Sequence, residues 1–511
     1  MPSNLSAGLE PSTTSLWSPI VLIFVPILTW IVYQRFFHPL AKIPGPFFAS
    51  LTRLWITKHS WDGDMNTTII SLHKKYGPLV RTGPNELSIS DITAIKTIYG
   101  AGTQFRKSDW YSVWQGHRKF DLFAERDEKI HGQQRRLVSR AYSMEALKDL
   151  EPHVNTAVST FLSKMSSLKS STIDMGKWTQ LFAFDIIGEI TFSQSFGFME
   201  AGADDGSFQA IETALKSAAW IGQVPWLYWL HDSLAPYIGT HLGIAARHGS
   251  LRATAAREVS ARQTRGSDRN DILSKLLATH TEHPQAFDAQ ALTSMATSNI
   301  FAGSDTTAIS TRAIIYHLLK NPSRKARLVA ELDAARAAGA LSSPVSLAEA
   351  DRLPYLQAVM YEALRLHPAV GMALPRVSPT SGATIAGRFV PAGTVVGANP
   401  WVIHRDAGVF GDDVEAFRPE RWVEKAAAES EGGGKGGYGD MQRFFFAFGS
   451  GARMCLGRNI SWMEMSKLIP TLFMHYDLEL EEPEKEWETN CWWFVMQKGL
   501  HVRLQERTPV S

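Results

Sequence analysis

Cysteine is nearly absent: the 511 residues include only Cys455 and Cys491. That excludes a disulfide framework and favours a reducing compartment or a single working thiolate. Net charge is nearly absent as well. Lys and Arg number 52 against 50 Asp and Glu, a formal charge of +2, which is too balanced for the basic footprint of a nucleic-acid binder. Nucleic acid is therefore not an expected partner. No internal repeat of fixed period is visible, and 44% hydrophobic, 11% aromatic and 20% charged residues describe a folded globular chain rather than a disordered, collagenous or coiled-coil one. Familiar catalytic signatures are also missing, with no HExxH zinc pattern and no GxSxG nucleophile elbow. The glycine-rich stretch 425–440 is not a phosphate loop, because Lys435 is followed by Gly436 where Ser or Thr is needed. Its composition predicts a surface loop. No GxGxxG follows a strand, so the chain is not expected to bind a dinucleotide or flavin itself.

What is present begins at the N-terminus. No residue from Pro11 to Gln34 is charged, and Leu16 to Tyr33 is apolar and aromatic, close to the ~20 residues a helix needs to cross a bilayer. A membrane anchor is expected. A cleaved signal peptide fits less well, since residues 1–16 contain no Lys or Arg and Glu10 is acidic. A core helix also fits less well, because the segment is apolar all round. Arg35, Lys42, Arg53 and Lys58 follow the span, which places its C-terminal side in the cytosol. Pro39, Pro44, Gly45 and Pro46 then form a stiff hinge. The expected division is 1–34 tail and anchor, 35–48 hinge, and 49–511 catalytic domain.

Within that domain, Leu79 to Ile89 alternates like two short strands with a turn at Gly83-Pro84. Amphipathic runs at 126–142, 150–167, 208–220, 288–320 and 354–366 predict helices. The fold class is mainly α with a minor β portion. The most informative string is FFFAFGSGARMCLGRN, residues 444–459. Glycines 449 and 451 allow backbone to approach a large flat ligand, and Gly457 allows close packing just past the cysteine. A helix start behind Cys455 favours its thiolate, so Cys455 is placed to be an anionic ligand. Cys491 is read as an inert buried thiol.

Phe448, Gly451, Arg453, Cys455 and Gly457 spell FxxGxRxCxG, and this pattern resembles the haem loop of the cytochrome P450 family, the haem-thiolate monooxygenases. The resemblance implies the P450 fold behind one transmembrane helix, haem b with Cys455 on its iron, and Arg453 on a haem propionate. Three further matches follow the family's order. AGSDTT, residues 302–307, lies within the candidate helix 288–320, where a mid-helix Gly costs about 1 kcal/mol relative to Ala and stability alone does not explain the cluster. There the family implies that Ala302 and Gly303 let the helix open beside the haem, while Asp305 and Thr306 manage proton delivery. Glu362 and Arg365 of YEALRLHP are spaced to pair on one helix face, and with Arg421 of FRPERW they match the family's buried structural network. His131 stands where the family usually has Trp, with Arg135 four residues later, and Arg376 matches a further propionate contact.

The distal pocket is expected to include Trp110, Tyr111, Trp114, Ile300, Phe301, Val370, Met372 and Trp493, which implies a lipophilic substrate. IYGAGTQFRKSDWY, residues 98–111, is similar to the fungal branch of pisatin demethylase-like and benzoate hydroxylase-like enzymes, and points to an aromatic or specialised-metabolite substrate that is hydroxylated or O-demethylated. The resemblance implies that NADPH and flavin enter only through a separate NADPH-cytochrome P450 reductase, with cytochrome b5 as a further expected partner; Arg136, Arg140, Arg443 and Arg458 are candidates for the docking face. The expected location is the endoplasmic reticulum membrane, with a single pass and a cytosolic catalytic domain. A haem-thiolate isomerase or dehydratase, and a non-catalytic haem sensor, are the alternatives. Asp305 and Thr306 argue against both.

Overall fold

Apolar periodicity and capping residues set the helices, and the helices set the site. The computed structural model describes residues 14–169, 171–430 and 437–507, with backbone alone for residues 14–21, 246 and 430. Helix α1 covers Thr14–Val32, and Leu22, Phe24, Leu28 and Trp30 on it are exposed. Among the described residues, no helix is long and apolar enough to cross a membrane. The expected tail before residue 14 lies outside the described residues.

The proline-rich stretch after α1 is pinned rather than swinging. Arg81, 1% exposed, donates from Nη1 to Gln34 O at 2.9 Å and from Nη2 to Gln34 Oε1 at 2.6 Å. Its own N–H donates to Pro44 O at 2.8 Å. A Cβ on Gly45 would overlap the Arg81 carbonyl, so glycine is required where the two backbones meet.

Arg81 belongs to β1 (Leu79–Gly83), which pairs antiparallel with β2 (Glu86–Ile89) across the expected turn. With β3 (Arg106–Lys107), β4 (Arg376–Val377) and β5 (Val395–Ala398) they form one sheet of order β1-β2-β5-β4-β3. The register sets Lys107 opposite Arg376, so two cations distant in sequence become neighbours. A hairpin of β6 (Glu488–Trp492) and β7 (Phe494–Lys498) pairs Trp492 with Phe494, leaving Trp493 alone at the tip with φ +76°. A bulky residue with positive φ is uncommon and strained. Gly371 N–H holds it by donating to Trp493 O at 2.9 Å, and Val495 N–H donates to Ala369 O at 2.8 Å.

Five helices frame the site: α2 (Glu128–Val138), α3 (Met175–Phe192), α4 (Ala289–Lys320), α5 (Pro354–Leu366) and α6 (Arg458–His475). Asp288 caps α4 by accepting from Ala291 N–H at 2.8 Å. Asn321 ends it, and Pro322 starts the next helix. α4 buries most of its faces and packs most extensively against α3. The loop expected from residue 425 starts later than composition suggests, because the helix Glu420–Ser430 occupies its first part. Residues 431–436 of that stretch lie outside the described residues.

Candidate functional site

Cys455 is delivered by the irregular loop between the helix Tyr438–Phe444 and α6. Gly449 and Gly451 have φ +72° and +61°, and a Cβ on Gly451 would overlap Tyr99 O. Only glycine is comfortable at that turn. Cys455 N–H donates to Phe448 O at 2.8 Å, which pins the loop backbone at the cysteine. The sulfur opens into an internal cavity, so it is accessible from within while sitting deep in the protein. Gly457 caps α6. A Cβ there would touch nothing within 4 Å, so its smallness serves open cavity rather than the close packing expected of it.

Burial raises the Cys455 thiol above its ordinary value, outweighing the N–H groups of Gly457 and Arg458 and the charges of Arg135 and Arg458 that favour the anion. The helix start alone therefore does not make a thiolate. A bound cation would, since a coordinating thiol is deprotonated outright.

Cationic and donor side chains converge on the same cavity: Lys107, His131, Arg135, Arg376 and Arg453. Among the described residues Arg453 is the one of these with an acidic partner, pairing with Glu128 Oε1 at 2.8 Å, and it also donates to Glu125 O at 2.7 Å. Arg376 Nη1 donates to Tyr111 OH at 3.3 Å and to Pro375 O at 3.1 Å. Lys107 Nζ donates to Phe123 O and lies 4.1 Å from the Tyr111 ring centroid. Burial, then Arg376 and Arg453, hold its ammonium well below the ordinary lysine value. Burial, then the four neighbouring cations led by Arg453, pushes His131 down to about 3, so it is a neutral imidazole with one N–H to give. So much unbalanced positive charge in one buried corner is unfavourable until anionic oxygens join it.

The α4 wall supplies Ala302, Gly303 and Thr306 to the cavity. Thr306 Oγ1 donates to Ala302 O at 2.8 Å. α4 stays helical throughout this stretch, so the expected local opening is not seen. Gly303 is small for a further reason: a Cβ would press within 2.5 Å of the Ile187 side chain on α3. Asp305 does not line the cavity. It points to α3, where Oδ1 accepts from Gln180 Nε2 at 2.5 Å, and Gln180 Oε1 in turn accepts from Arg312 Nη2 at 2.7 Å. Its Oδ2 has no partner among the described residues. Burial, partly offset by Arg312 and Gln180, pushes this carboxyl up to about 7.

Beneath the cysteine loop lies a buried charge network. Glu362 Oε2 accepts from Arg365 Nε at 2.8 Å and Trp422 Nε1 at 2.9 Å. Its Oε1 accepts from Arg365 Nη2 at 2.8 Å, Arg421 Nε at 3.0 Å and Arg418 N–H at 3.0 Å. Arg365 O accepts from His404 Nδ1 at 3.0 Å, while His404 Nε2 accepts from Phe446 N–H at 2.7 Å. The network thus reaches the backbone of the cysteine loop.

The family model for cytochrome P450 matches residues 41–503. The chain is 41% identical over 489 residues to the cytochrome P450 monooxygenase hepC of Aspergillus oryzae, covering 93% of this chain and 94% of that one. It is 39% identical over 504 residues to the monooxygenase cicH of Emericella nidulans, covering 96% and 98%, and 34% identical over 485 residues to a pisatin demethylase of Fusarium vanettenii, covering 92% and 91%. This chain belongs to the cytochrome P450 family. It is an oxidoreductase of the monooxygenase type, and the family implies haem with iron on a cysteine thiolate. The cavity fits that group: it joins an apolar interior, the Cys455 thiol, and a cationic corner short of negative charge, as a flat macrocycle with two propionates would require.

As a cytochrome P450 pocket, the cavity includes Tyr111, Trp114, Phe301, Val370 and Trp493 as expected, but not Trp110, Ile300 or Met372. Consecutive helical residues point ~100° apart, so Phe301 faces the cavity and Ile300 faces the core. Trp110 sits behind Trp493, 4.6 Å between ring centroids. Met372 shares a separate narrow cleft with Trp110 and Gln223. Sequence reasoning missed Lys107, Tyr142, Arg247 and Asn299, all of which line the cavity. Tyr142 OH donates to Asn299 Oδ1 at 2.7 Å. The doublet Arg106-Lys107 was the one available signal, and only the pairing of β3 with β4 gives it meaning.

Proposed function

We propose that this cytochrome P450 is anchored by a single pass in the endoplasmic reticulum membrane through residues 1–34, with 35–48 as connector and 49–511 as a cytosolic catalytic domain, and that it hydroxylates or O-demethylates a lipophilic aromatic or specialised-metabolite substrate. The observation that carries the reading is that Cys455 and Thr306 share one largely apolar cavity with an unbalanced cationic corner. The name of the pisatin demethylase relative supports demethylation among the possible outcomes.

Cys455 holds the haem iron, and Arg453, Arg376, Arg135, Lys107 and the neutral His131 hold the propionates. Bound haem supplies dioxygen activation, and electron donation from the thiolate favours O–O cleavage. Phe448 and the glycines keep the loop close, and Glu362, Arg365 and Arg421 hold the core beneath it. Ala302 and Gly303 leave room against α4. Thr306 Oγ1 carries a proton at the cavity wall, and its lone pairs can accept another in exchange. Asp305, whose carboxyl burial pushes up to about 7, is the acid behind it that can replace a proton drawn from that side of α4. Tyr111, Trp114, Phe301, Val370 and Trp493 exclude water and orient the substrate.

Electrons come from NADPH-cytochrome P450 reductase, with cytochrome b5 as a second donor. Arg136, Arg140, Arg443 and Arg458 are all exposed and can meet an acidic partner. The decisive test is the carbon monoxide difference spectrum of the reduced protein. A Soret band near 450 nm is expected, a band near 420 nm speaks against the thiolate, and Cys455→Ala should lose both the band and turnover with reductase and NADPH.

A further inference from the structure

Arg247 lies on the short turn Ala245–His248 and lines the same cavity as Cys455, yet nothing in the haem chemistry above uses it. It is 3% exposed. Its guanidinium carbon is 5.8 Å from the Trp114 ring centroid and 5.5 Å from that of Phe301, two aromatic walls of the cavity. Nη1 donates to Trp114 O and Nη2 to Asp121 Oδ2 at 3.1 Å. Nε is buried with no partner among the described residues.

Anchoring the surrounding loop does not account for this arrangement. Arg118 already binds Asp121 Oδ2 through Nη2 and through Nε at 3.1 Å. Ala124 N–H donates to Asp121 Oδ1 at 2.9 Å, and Arg118 Nη2 donates to the same Trp114 carbonyl that Arg247 uses. His248 Nδ1 accepts from Arg118 Nη1 at 2.8 Å, and Nε2 donates to Val113 O at 3.1 Å. Burial, then Arg118 and Arg247, pushes this imidazole down to about 3, so it is neutral. Burial also lowers the Arg247 guanidinium, to about 10, which leaves it charged. Two guanidinium groups therefore share one carboxylate, and the cluster keeps one excess positive charge at the cavity wall. A buried charge and an unpartnered N–H are both unfavourable until a ligand supplies the missing acceptor.

We propose that Arg247 sets substrate specificity, and that the substrate is an aromatic carboxylate whose anionic oxygen accepts from Arg247 Nε while its rings lie against Trp114 and Phe301. The proposal rests on the monooxygenase reading of the cavity and narrows its substrate class from lipophilic to acidic. Arg247 is a specificity residue and is not expected to take part in oxygen chemistry.

The test uses full-length holoenzyme and two matched probes, 2-naphthoate and methyl 2-naphthoate, with binding followed by the Soret shift and by calorimetry. A charge-assisted hydrogen bond in a dry site predicts that the acid binds at least about tenfold tighter than the ester. Arg247→Met should reduce that preference to less than about twofold with little change for the ester, and Arg247→Lys should keep part of it. Equal binding of acid and ester by the unsubstituted enzyme, or a preference that survives Arg247→Met, overturns the proposal. Should Arg247→Met fail to fold, the unsubstituted enzyme and Arg247→Lys still decide. A 450 nm carbon monoxide band in the same samples separates the two readings: without it in the unsubstituted protein, the haem-thiolate assignment fails, and with it, an absent acid preference counts against Arg247 alone.

Discussion

The two sides of the cysteine loop treat buried polar groups in opposite ways. On the side below it, Glu362 receives five hydrogen bonds from Arg365, Arg421, Arg418 and Trp422, and both its oxygens are used. On the cavity side, Arg247 Nε and Asn299 Nδ2 are buried with no partner among the described residues, as is Asp305 Oδ2 on the face of α4 turned to α3. A saturated network costs little to keep and is costly to interrupt, so it fixes shape. Unfinished groups are unfavourable in isolation, and their retention at a cavity marks where a ligand or a moving proton completes the set.

That contrast ranks the consequences of substitution. Removing one member of the saturated network leaves a buried charge without compensation, which typically costs ~3 to 5 kcal/mol. Arg365→Ala should therefore unfold the haem side of the domain, read as loss of the 450 nm band and a fall in thermal midpoint. A stable Arg365→Ala protein with its band intact would break the comparison at its strongest point. Thr306→Ala, on the open side, should leave folding and haem untouched and act on protons instead. Loss of a positioned proton carrier is worth at least about tenfold, so the yield of product per NADPH should fall by that order while peroxide release rises. Unchanged coupling would remove Thr306 from its role.

Asp305→Asn tests the same wall through pH. The folded carboxyl titrates at about 7 against an ordinary 3.8, so between those values the folded state binds more protons than the unfolded state. Stability attached to this group is complete below about pH 4 and is lost as pH rises through about 7. Asn has no proton to lose. The thermal midpoint of Asp305→Asn relative to the unsubstituted enzyme should accordingly rise between pH 5 and pH 8, and a constant difference would mean that Asp305 is ionised throughout.

Much of this was legible because it is local. Asp288 and Asn321-Pro322 bracket α4 in the sequence as they do in the structure, and the i,i+3 spacing of Glu362 and Arg365 announces their pair. The cysteine loop carries its own glycines. What was not legible depends on which face meets which neighbour. Lys107 joins the cationic corner through the register of β3 with β4, and Arg247 reaches the cavity from a short turn with no periodic signal. Ile300 and Asp305 look inward in a linear string, but the rotation of α4 against α3 turns them elsewhere. Local reasoning is also incomplete at Cys455, since helix geometry favours the anion while burial, a tertiary property, works against it, and the iron that the family implies would complete the thiolate.

The smallest expected effect sharpens the contrast with a second buried glutamate, outside the saturated network. Glu464 on α6 is as buried as Glu362, at 1% exposed, yet both its oxygens are without partners among the described residues. Burial alone raises its carboxyl well above the ordinary value, whereas at Glu362 burial is more than reversed by Arg365 and then Arg421, and the group is held below it. One glutamate is a charged hub and the other a neutral filler. Glu464→Gln replaces a neutral group with one of nearly the same shape, so at neutral pH it should change stability by less than about 1 kcal/mol, measured by denaturant unfolding with the 450 nm band as a check. Glu362→Gln, the same chemical change, should approach the loss expected for Arg365→Ala. Equal losses at the two positions would mean that burial, and not the partners each carboxyl has acquired, decides what a glutamate does beneath the haem loop.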